Sequence, residues 1–303
     1  MRKVALSLAI IGLAVPLLAA APAQAQSQQT WVSGTGDNTA ICSRTAPCLT
    51  FLAAYLRTAA GGEINCLDPG NFGGLTITKS ITISCDAGTA SVLGDSFYVN
   101  ASTTDVVTLR GLDFDGLHGL PFGIFGVGAK EVHIEKCTIR NFIGAGIATD
   151  PNSSTTVFLY VVDTVMSSNN GGVWLPSSGG YKVASLKNVV ITGSTADGVS
   201  LASSNVFANV VDSVISGNSG SAVVTYASST TANIERSTIA NNAVAGLYAA
   251  ASGSAIRASG NGIYNNTYGV LIAQGATIQS DGTNKHGNSN GGVQVPNASF
   301  ALY

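Results

Sequence analysis

Charged side chains are scarce in this sequence: Asp, Glu, Lys and Arg make up 10% of its 303 residues, against about 25% in a typical soluble domain. The formal net charge is −2, and no cluster of Lys and Arg stands out. Proteins that bind nucleic acid or anionic lipid depend on such a basic patch, so the sequence argues against both partners. Disorder is not indicated either, because 45% of the residues are hydrophobic and recur periodically.

Long apolar runs are missing after residue 25, where apolar and polar residues alternate. The beginning of the chain differs: Arg2 and Lys3 precede an apolar run, Val4–Leu18, and Ala23-Gln24-Ala25 has the small residues of a cleavage site. We interpret residues 1–25 as a signal peptide. The alternative is a transmembrane anchor, but the run is shorter than the roughly 20 apolar residues that cross a bilayer. We therefore expect a secreted or periplasmic protein, with no transmembrane segment in the mature chain.

Cysteine is present at only five positions, all after the predicted signal peptide. In an oxidising compartment disulfides are expected. Cys42 and Cys48 flank a short polar loop, which favours a bridge between them. Cys66 and Cys85 have similar neighbours 19 residues apart, which suits successive coils of a repeat. Cys137 is left over and is expected to be a buried free thiol. No CxxC motif or histidine at ligand spacing supports a metal site.

Internal repetition is the strongest signal in the sequence. Each unit reads apolar-x-apolar, then a polar break with Asn, Ser or Gly, then Gly-apolar-x-apolar. The units are 23 to 26 residues apart and are marked by Ile147, Val173, Val199, Val223, Leu247, Val270 and Val293. Strict alternation over such short runs predicts β-strands, and a unit of this length holds about three strands.

One such unit cannot bury its own apolar face, so neighbouring units must stack, and equivalent strands then form parallel sheets. Crossovers between parallel strands are almost always right-handed. We therefore predict an all-β fold, a single-stranded right-handed parallel β-helix over residues 63–297, with residues 298–303 as a C-terminal tail. A leucine-rich repeat would need an L-x-x-L-x-L-x-x-N skeleton, and a propeller blade about 40 residues; neither fits.

Two sets of equivalent positions carry this alignment. One set is predicted to form a single inward stack: Ile139, Val165, Ile191, Ile215 and Ile239. The other occupies a turn position: Asn141, Asn241, Asn265 and Asn288, with Ser167, Gly193 and Gly217 in the remaining units. Asn tolerates left-handed backbone and can hydrogen-bond to an Asn one coil away, so we interpret these asparagines as structural.

Residues 26–62 precede the repeats and hold the loop between Cys42 and Cys48. An amphipathic pattern follows there: Cys48, Phe51, Leu52, Tyr55 and Ala59. It predicts a short helix that begins near Pro47 and ends at Gly61-Gly62. A helix at this place would cover the open end of the solenoid, where exposed strand edges invite aggregation.

The repeats from about Thr108 to Val295 resemble the pectin-lyase-like right-handed β-helix superfamily. The region from Cys42 to Phe51, followed by Gly61–Ile64 and Ile77–Ile83, is similar to a group of bacterial secreted β-helix proteins. The resemblance covers nearly the whole chain after residue 25. It implies the fold but not an activity, because the superfamily contains lyases, hydrolases, epimerases and non-enzymes. The patterns R-x-P-x-x-R of pectate lyases, R-x-K of polygalacturonases and D-P-H-D of epimerases are absent.

The best local candidates for catalysis are Asp113, Asp115 and His118. Two carboxylates two residues apart on a strand share one face, and the imidazole would follow beyond a turn. Such a group suits acid–base chemistry or weak calcium binding. The simpler interpretation is a solvated turn, in which Asp and Gly are common. No other cofactor is expected.

A possible binding surface is carried by the residue that follows each Gly-apolar pair, which should point outward from one sheet. This outward column comprises Ala148, Trp174, Ser200, Val224, Tyr248, Leu271 and Gln294, with Tyr226 nearby. Aromatic residues on an outer sheet suit stacking against sugar rings, and equally suit a protein–protein contact or cover by a loop.

Trp174, Tyr226 and Tyr248 are therefore candidate binding residues for a polysaccharide or a surface protein. Because the catalytic patterns are missing, we expect a secreted, non-catalytic binding protein. The alternative is a divergent polysaccharide lyase or glycoside hydrolase of the same superfamily.

Overall fold

The structure, a computed structural model, describes residues 26–86, 90–273, 275–287, 291 and 295–301, without the side chain of Val127. The predicted signal peptide, Asn288 and Gln294 lie outside the described residues. Among the described residues, no helix is long and apolar enough to cross a membrane.

Three parallel sheets, here called A, B and C, receive one strand each per coil, in that order, from β2 to β30. In the described part of the chain, sheet A has 12 strands: β1 Ser27–Val32, β2 Thr58–Cys66, β5 Ile81–Ser84, β8 Val106–Arg110, β11 Glu131–Glu135, β14 Val157–Val162, β17 Lys182–Lys187, β20 Val206–Val211, β23 Thr231–Glu235, β26 Ala255–Ser259, β29 Thr277–Ser280 and β31 Ala298–Ser299.

The other two sheets share the same register from coil to coil. Sheet B has 10 strands: β3 Gly70–Asn71, β6 Ala90–Leu93, β9 Leu112–Asp115, β12 Thr138–Arg140, β15 Val165–Ser167, β18 Val190–Thr192, β21 Val214–Ser216, β24 Thr238–Ala240, β27 Gly262–Tyr264 and β30 Lys285–Gly287. Sheet C has nine among the described residues: β4 Leu75–Ile77, β7 Phe97–Asn100, β10 Ile124–Gly128, β13 Ala145–Thr149, β16 Gly171–Leu175, β19 Val199–Leu201, β22 Val223–Thr225, β25 Ala245–Ala249 and β28 Tyr268–Ile272. The predicted parallel β-helix is confirmed.

The inward stack on sheet B agrees with the prediction except in one coil. Ile191, Ile215 and Ile239 pair in register and are fully buried. The prediction that Val165 points inward is wrong. Ile139 pairs with Met166, which is buried, whereas Val165 is 38% exposed. The turn after Met166 is one residue shorter than in neighbouring coils, so counting back from the Gly-Val motif misplaces the strand by one residue. A shift of one residue moves a side chain to the opposite face of a strand.

In the asparagine turns, one residue has left-handed backbone and the residue after it can hydrogen-bond through its side chain to the next coil. Asn141, Asn241 and Asn265 have left-handed backbone, as predicted, with φ of 62°, 57° and 54°. In the coil of Met166 the left-handed residue is Ser168 and not Ser167. The hydrogen bonds between asparagines of successive coils, however, are made by the residue that follows, in the coils where that residue is a buried asparagine.

This buried asparagine ladder comprises Asn218, Asn242 and Asn266. Asn218 Nδ2 donates to Asn242 Oδ1 at 2.9 Å, and Asn242 Nδ2 donates to Asn266 Oδ1 at 2.8 Å. Asn169 occupies the same position in an earlier coil, where it accepts from the Phe142 N–H. Ser194 interrupts the ladder, and its buried Oγ has no hydrogen-bond partner. The ladder therefore satisfies turn groups that would otherwise be buried without partners.

The N-terminal helix, α1 Phe51–Arg57, begins after Thr50, whose side chain accepts from the Ala53 N–H. It ends at Arg57 and not at Gly61-Gly62, because β2 begins at Thr58 and pairs with β1 and β5. The Phe51 ring is fully buried, 5.2 Å from the ring of Phe72 and 5.7 Å from that of Phe97. The helix thus closes the end of the hydrophobic core.

The first strand of sheet A is shielded by the loop between Cys42 and Cys48. The Trp31 N–H donates to the Cys42 carbonyl at 2.8 Å, and the Cys48 N–H donates to the Trp31 carbonyl at 3.0 Å. Strand pairing also reaches the predicted tail, where Ala298 and Ser299 pair with β29. Both ends of sheet A therefore extend beyond residues 63–297.

The cysteines pair as the sequence suggested, Cys42 with Cys48 and Cys66 with Cys85. Cys137 is free and 2% exposed. Burial raises the pKa of its thiol to about 12, and the thiolate is the reactive form.

We therefore expect Cys137 to resist alkylation by iodoacetamide in the native protein at mildly alkaline pH. In guanidinium without reductant, the same reagent should modify one thiol per chain. Mass spectrometry of both samples checks this. Rapid modification of the native protein would contradict the buried position.

Candidate functional site

The two candidate carboxylates lie on the outer side of sheet B, alternating with the buried residues Leu112 and Phe114 on β9. Both accept from Arg140 on the next coil: Nη1 donates to Asp113 Oδ1, and Nε donates to Asp115 Oδ2 at 3.0 Å. The pairing of Asp113 with Thr138 and of Asp115 with Arg140 places these side chains together. The guanidinium therefore neutralises one of the two negative charges of this pair.

Asp115 is further fixed by the Leu117 N–H and by Asn141 Nδ2, each donating to Oδ1 at 3.0 Å. Burial raises the pKa of Asp115, but these hydrogen bonds and the charge of Arg140 outweigh it, and the pKa is lowered. A carboxyl held ionised in this way is a poor proton donor at neutral pH.

His118 stands in a turn with left-handed backbone, φ 56°, and its N–H donates to the Asn141 carbonyl at 2.8 Å. Its side chain is exposed and borders a surface hollow lined also by Phe142, Ile143 and Thr195. Within the described ranges there is no group of three or more His, Cys, Asp and Glu side chains that could hold a metal ion.

The outward column on sheet C has the predicted register. Ala148, Trp174, Ser200, Val224, Tyr248 and Leu271 occupy consecutive coils at paired positions. In the preceding coils the same column carries Phe125 and Tyr98. Ala148 and Val224 are nonetheless fully buried, which means that other side chains cover parts of this outer face.

Phe122 is one of these covering residues, and it completes a stack of rings. Its ring lies 4.7 Å from that of Phe125 and 6.0 Å from that of Trp174, with interplanar angles of 12° and 11°. Phe125 in turn stacks on Tyr98 at 5.6 Å. The ring of Phe122 thus fills the place above Ala148, where the column itself has no ring.

The ring stack ends at Trp174, because the next residue of the column is Ser200. At this end the surface opens into a cleft of about 500 Å³. Its lining includes Phe122, Gly144, Ala145, Asn170, Gly171, Val173, Trp174, Ala196, Asp197, Ser200, Ala202 and Tyr226. A cleft of this size lies within the range of small-ligand sites.

Tyr226 closes the far side of the cleft. It follows β22, and its hydroxyl donates to Asp197 Oδ2, before β19 on the preceding coil, at 2.9 Å. The side chain therefore crosses the outer face beside Ser200 and Val224. Asp197 Oδ1 accepts from the Ser221 N–H at 2.7 Å, which fixes the carboxylate. Burial, followed by the charge of Asp197, raises the pKa of the Tyr226 hydroxyl.

The sequence-derived binding candidates are thus only partly brought together. Trp174 and Tyr226 line the cleft, whereas Tyr248, one coil beyond Val224, is not among the described lining residues. Phe122 and Asp197 were missed, because both lie in turns outside the repeated column. An aromatic residue immediately before the Gly123-Ile124 pair was the signal that pointed to Phe122.

Comparison with known proteins agrees with the parallel β-helix fold. A family model described as "Right handed beta helix region" matches residues 123–302. The chain belongs to this right-handed β-helix family. A search of curated proteins found no match.

Solved structures share the solenoid at low sequence identity. Pectate lyase Pel9A is 15% identical with a TM-score of 0.62, covering 90% of this chain and 78% of its own. The periplasmic alginate epimerase AlgG is 9% identical with a TM-score of 0.48, covering 78% of this chain and 61% of its own. A rhamnogalacturonan lyase is 12% identical with a TM-score of 0.48, covering 89% and 87%. At these identities the likeness to Pel9A shows the fold alone.

Proposed function

We propose that this β-helix protein binds a glycan in the cleft between Trp174 and Tyr226 without cleaving it. The observation that carries the proposal is the end of the ring stack at Trp174, next to the polar side chains of Asn170, Asp197 and Ser200. Carbohydrate recognition needs this combination, because one face of a sugar ring is apolar and its rim carries hydroxyl groups. Pel9A, a structural neighbour, is named as a lyase of the polysaccharide pectate.

The non-catalytic part of the proposal is supported on sheet B. Asp113 and Asp115 are both engaged by Arg140, and Asp115 accepts two further hydrogen bonds. Neither residue lines the cleft on sheet C. A carboxylate pair that is held in this way has the geometry of a structural ion pair between coils.

The test is a panel of neutral and acidic polysaccharides, scored for binding by affinity electrophoresis and for cleavage by release of reducing ends and of unsaturated products. We expect binding to at least one polysaccharide and no cleavage of any. Cleavage of an acidic polysaccharide would instead support the divergent lyase or hydrolase.

Asp113→Asn and Asp115→Asn provide the matched control for this panel. We expect each to leave glycan binding unchanged and to lower the free energy of unfolding by about 1 kcal/mol, because a partly exposed ion pair is lost. Urea denaturation and the binding assay together check this. Loss of cleavage activity in Asp113→Asn would overturn the non-catalytic proposal.

The proposed function requires export from the cytoplasm if the bound glycan is an extracellular or cell-surface polysaccharide. Two disulfides and the signal-like residues 1–25 support export. We expect N-terminal sequencing of the protein recovered outside the cytoplasmic fraction to begin near Gln26. A full-length chain retained in the cytoplasm would contradict this.

A further inference from the structure

The cleft has an unusual charge pattern for a protein with a structural neighbour named for pectate, a polyuronate. None of the described residues that line it is Lys, Arg or His, and the charged residue among them is Asp197. A uronate carboxylate in this cleft would meet a like charge and no compensating cation. Removing such a group from water without a partner is costly.

The hydrogen-bonding groups of the cleft also disfavour a uronate carboxylate. The oxygens of Asp197 each accept one bond from the protein and have lone pairs left. Tyr226 uses its proton on Asp197, so its oxygen is available only as an acceptor. Asn170 donates one of its two Nδ2 hydrogens to Thr195 Oγ1 at 3.0 Å, which orients its Oδ1. The rim of the cleft is therefore rich in acceptors and suits a ligand that donates hydrogen bonds.

Sugar hydroxyl groups donate hydrogen bonds, whereas an ionised carboxylate only accepts them. We propose that the cleft selects uncharged glycans and rejects polyuronates. This inference rests on the proposed glycan-binding function and specifies its substrate class. The apolar face of the sugar stacks on the ring of Trp174, and Asp197 accepts hydrogen bonds from the sugar hydroxyl groups.

The experiment uses one glycan in two charge states. A neutral oligosaccharide that binds in the panel is compared with the same oligosaccharide oxidised at C6, so that hydroxymethyl groups become carboxylates. By calorimetry at low salt we expect oxidation to weaken binding at least about tenfold, because the added charge faces Asp197. Added salt should reduce the difference in affinity between the neutral and the oxidised oligosaccharide, since it screens the repulsion between the carboxylates.

Two variants locate this effect in the cleft. Asp197→Asn keeps the side-chain size and removes the charge, and is expected to recover most of the affinity lost on oxidation while weakening the neutral glycan a few-fold. Asn170→Lys adds a cation at an exposed position on the rim, so it tests the same idea even if Asp197→Asn fails to fold. It is expected to raise the affinity for the oxidised glycan.

The outcomes separate the two proposals. Equal or tighter binding of the oxidised glycan, with both forms weakened by Trp174→Ala, would overturn the charge selectivity and leave glycan binding in the cleft intact. If the panel's binders were all polyuronates, the selectivity would also be overturned. Failure of every glycan to bind would overturn both proposals.

Discussion

Replacing Asn242 with alanine is expected to lower the free energy of unfolding by about 3–4 kcal/mol, because several buried polar groups lose their partners at once. Asn242 Oδ1 accepts from both the backbone N–H and the Nδ2 of Asn218. Its own Nδ2 donates to Asn266 Oδ1 and to the carbonyls of Ile215 and Ala240. The side chain is 1% exposed, so water cannot easily replace these bonds.

Asn209→Ala is the matched control for the ladder. Asn209 Oδ1 also accepts from an asparagine one coil away, Asn233 Nδ2 at 2.8 Å, but this pair is on the exposed outer side of sheet A. We expect its loss to cost less than about 1 kcal/mol. Urea denaturation followed by circular dichroism compares the two variants. Equal effects would show that burial of the ladder does not stabilise the coils.

Replacing Trp174 with alanine is expected to weaken glycan binding by about 10- to 100-fold, equivalent to about 1–3 kcal/mol. The variant removes the last ring of the stack, on which the proposed sugar face rests. Tyr226→Phe should have a smaller effect, of about threefold, because it keeps the ring and loses only the bond to Asp197.

Tyr160→Ala serves as the control for the aromatic variants. Tyr160 is also an outer-face ring in a stack, 4.7 Å from His133, but it belongs to sheet A. Its replacement should leave binding unchanged in calorimetric titrations. A loss of affinity similar to that of Trp174→Ala would show that the glycan does not bind in the cleft.

The repeat made most of the fold predictable, because one alternating pattern recurs with little change in length. The predicted strand positions failed where the turns differ in length, because the alternation of apolar and polar residues within a strand does not reveal the length of the turn that follows it. Val165 was assigned inward because both Val165 and Met166 are apolar, and only the pairing with Ile139 decides between them. The helix end was misplaced because Thr58–Cys66 pairs with strands on both sides, which local propensity cannot show.

The candidate site was less predictable than the fold, since its members come from turns as well as from the repeated column. Trp174 stands in the column, but the ring of Phe122 reaches it from a turn. Arg140 lies 27 and 25 residues from Asp113 and Asp115 in the sequence, yet the coil brings it against both. Contacts between residues about one coil apart depend on exact register, and register follows from turn lengths that the sequence pattern leaves open.

The most direct test of glycan binding in the cleft uses the fluorescence of a single tryptophan. The chain has two, Trp31 and Trp174, and Trp31 lies at the N-terminal edge of sheet A. In Trp31→Phe, emission therefore comes from Trp174. We expect a glycan selected by the panel to shift this emission to shorter wavelength and to protect it from acrylamide quenching, with half-saturation at the calorimetric Kd. Binding by calorimetry without any change in the emission or quenching of Trp174 would contradict the proposed site.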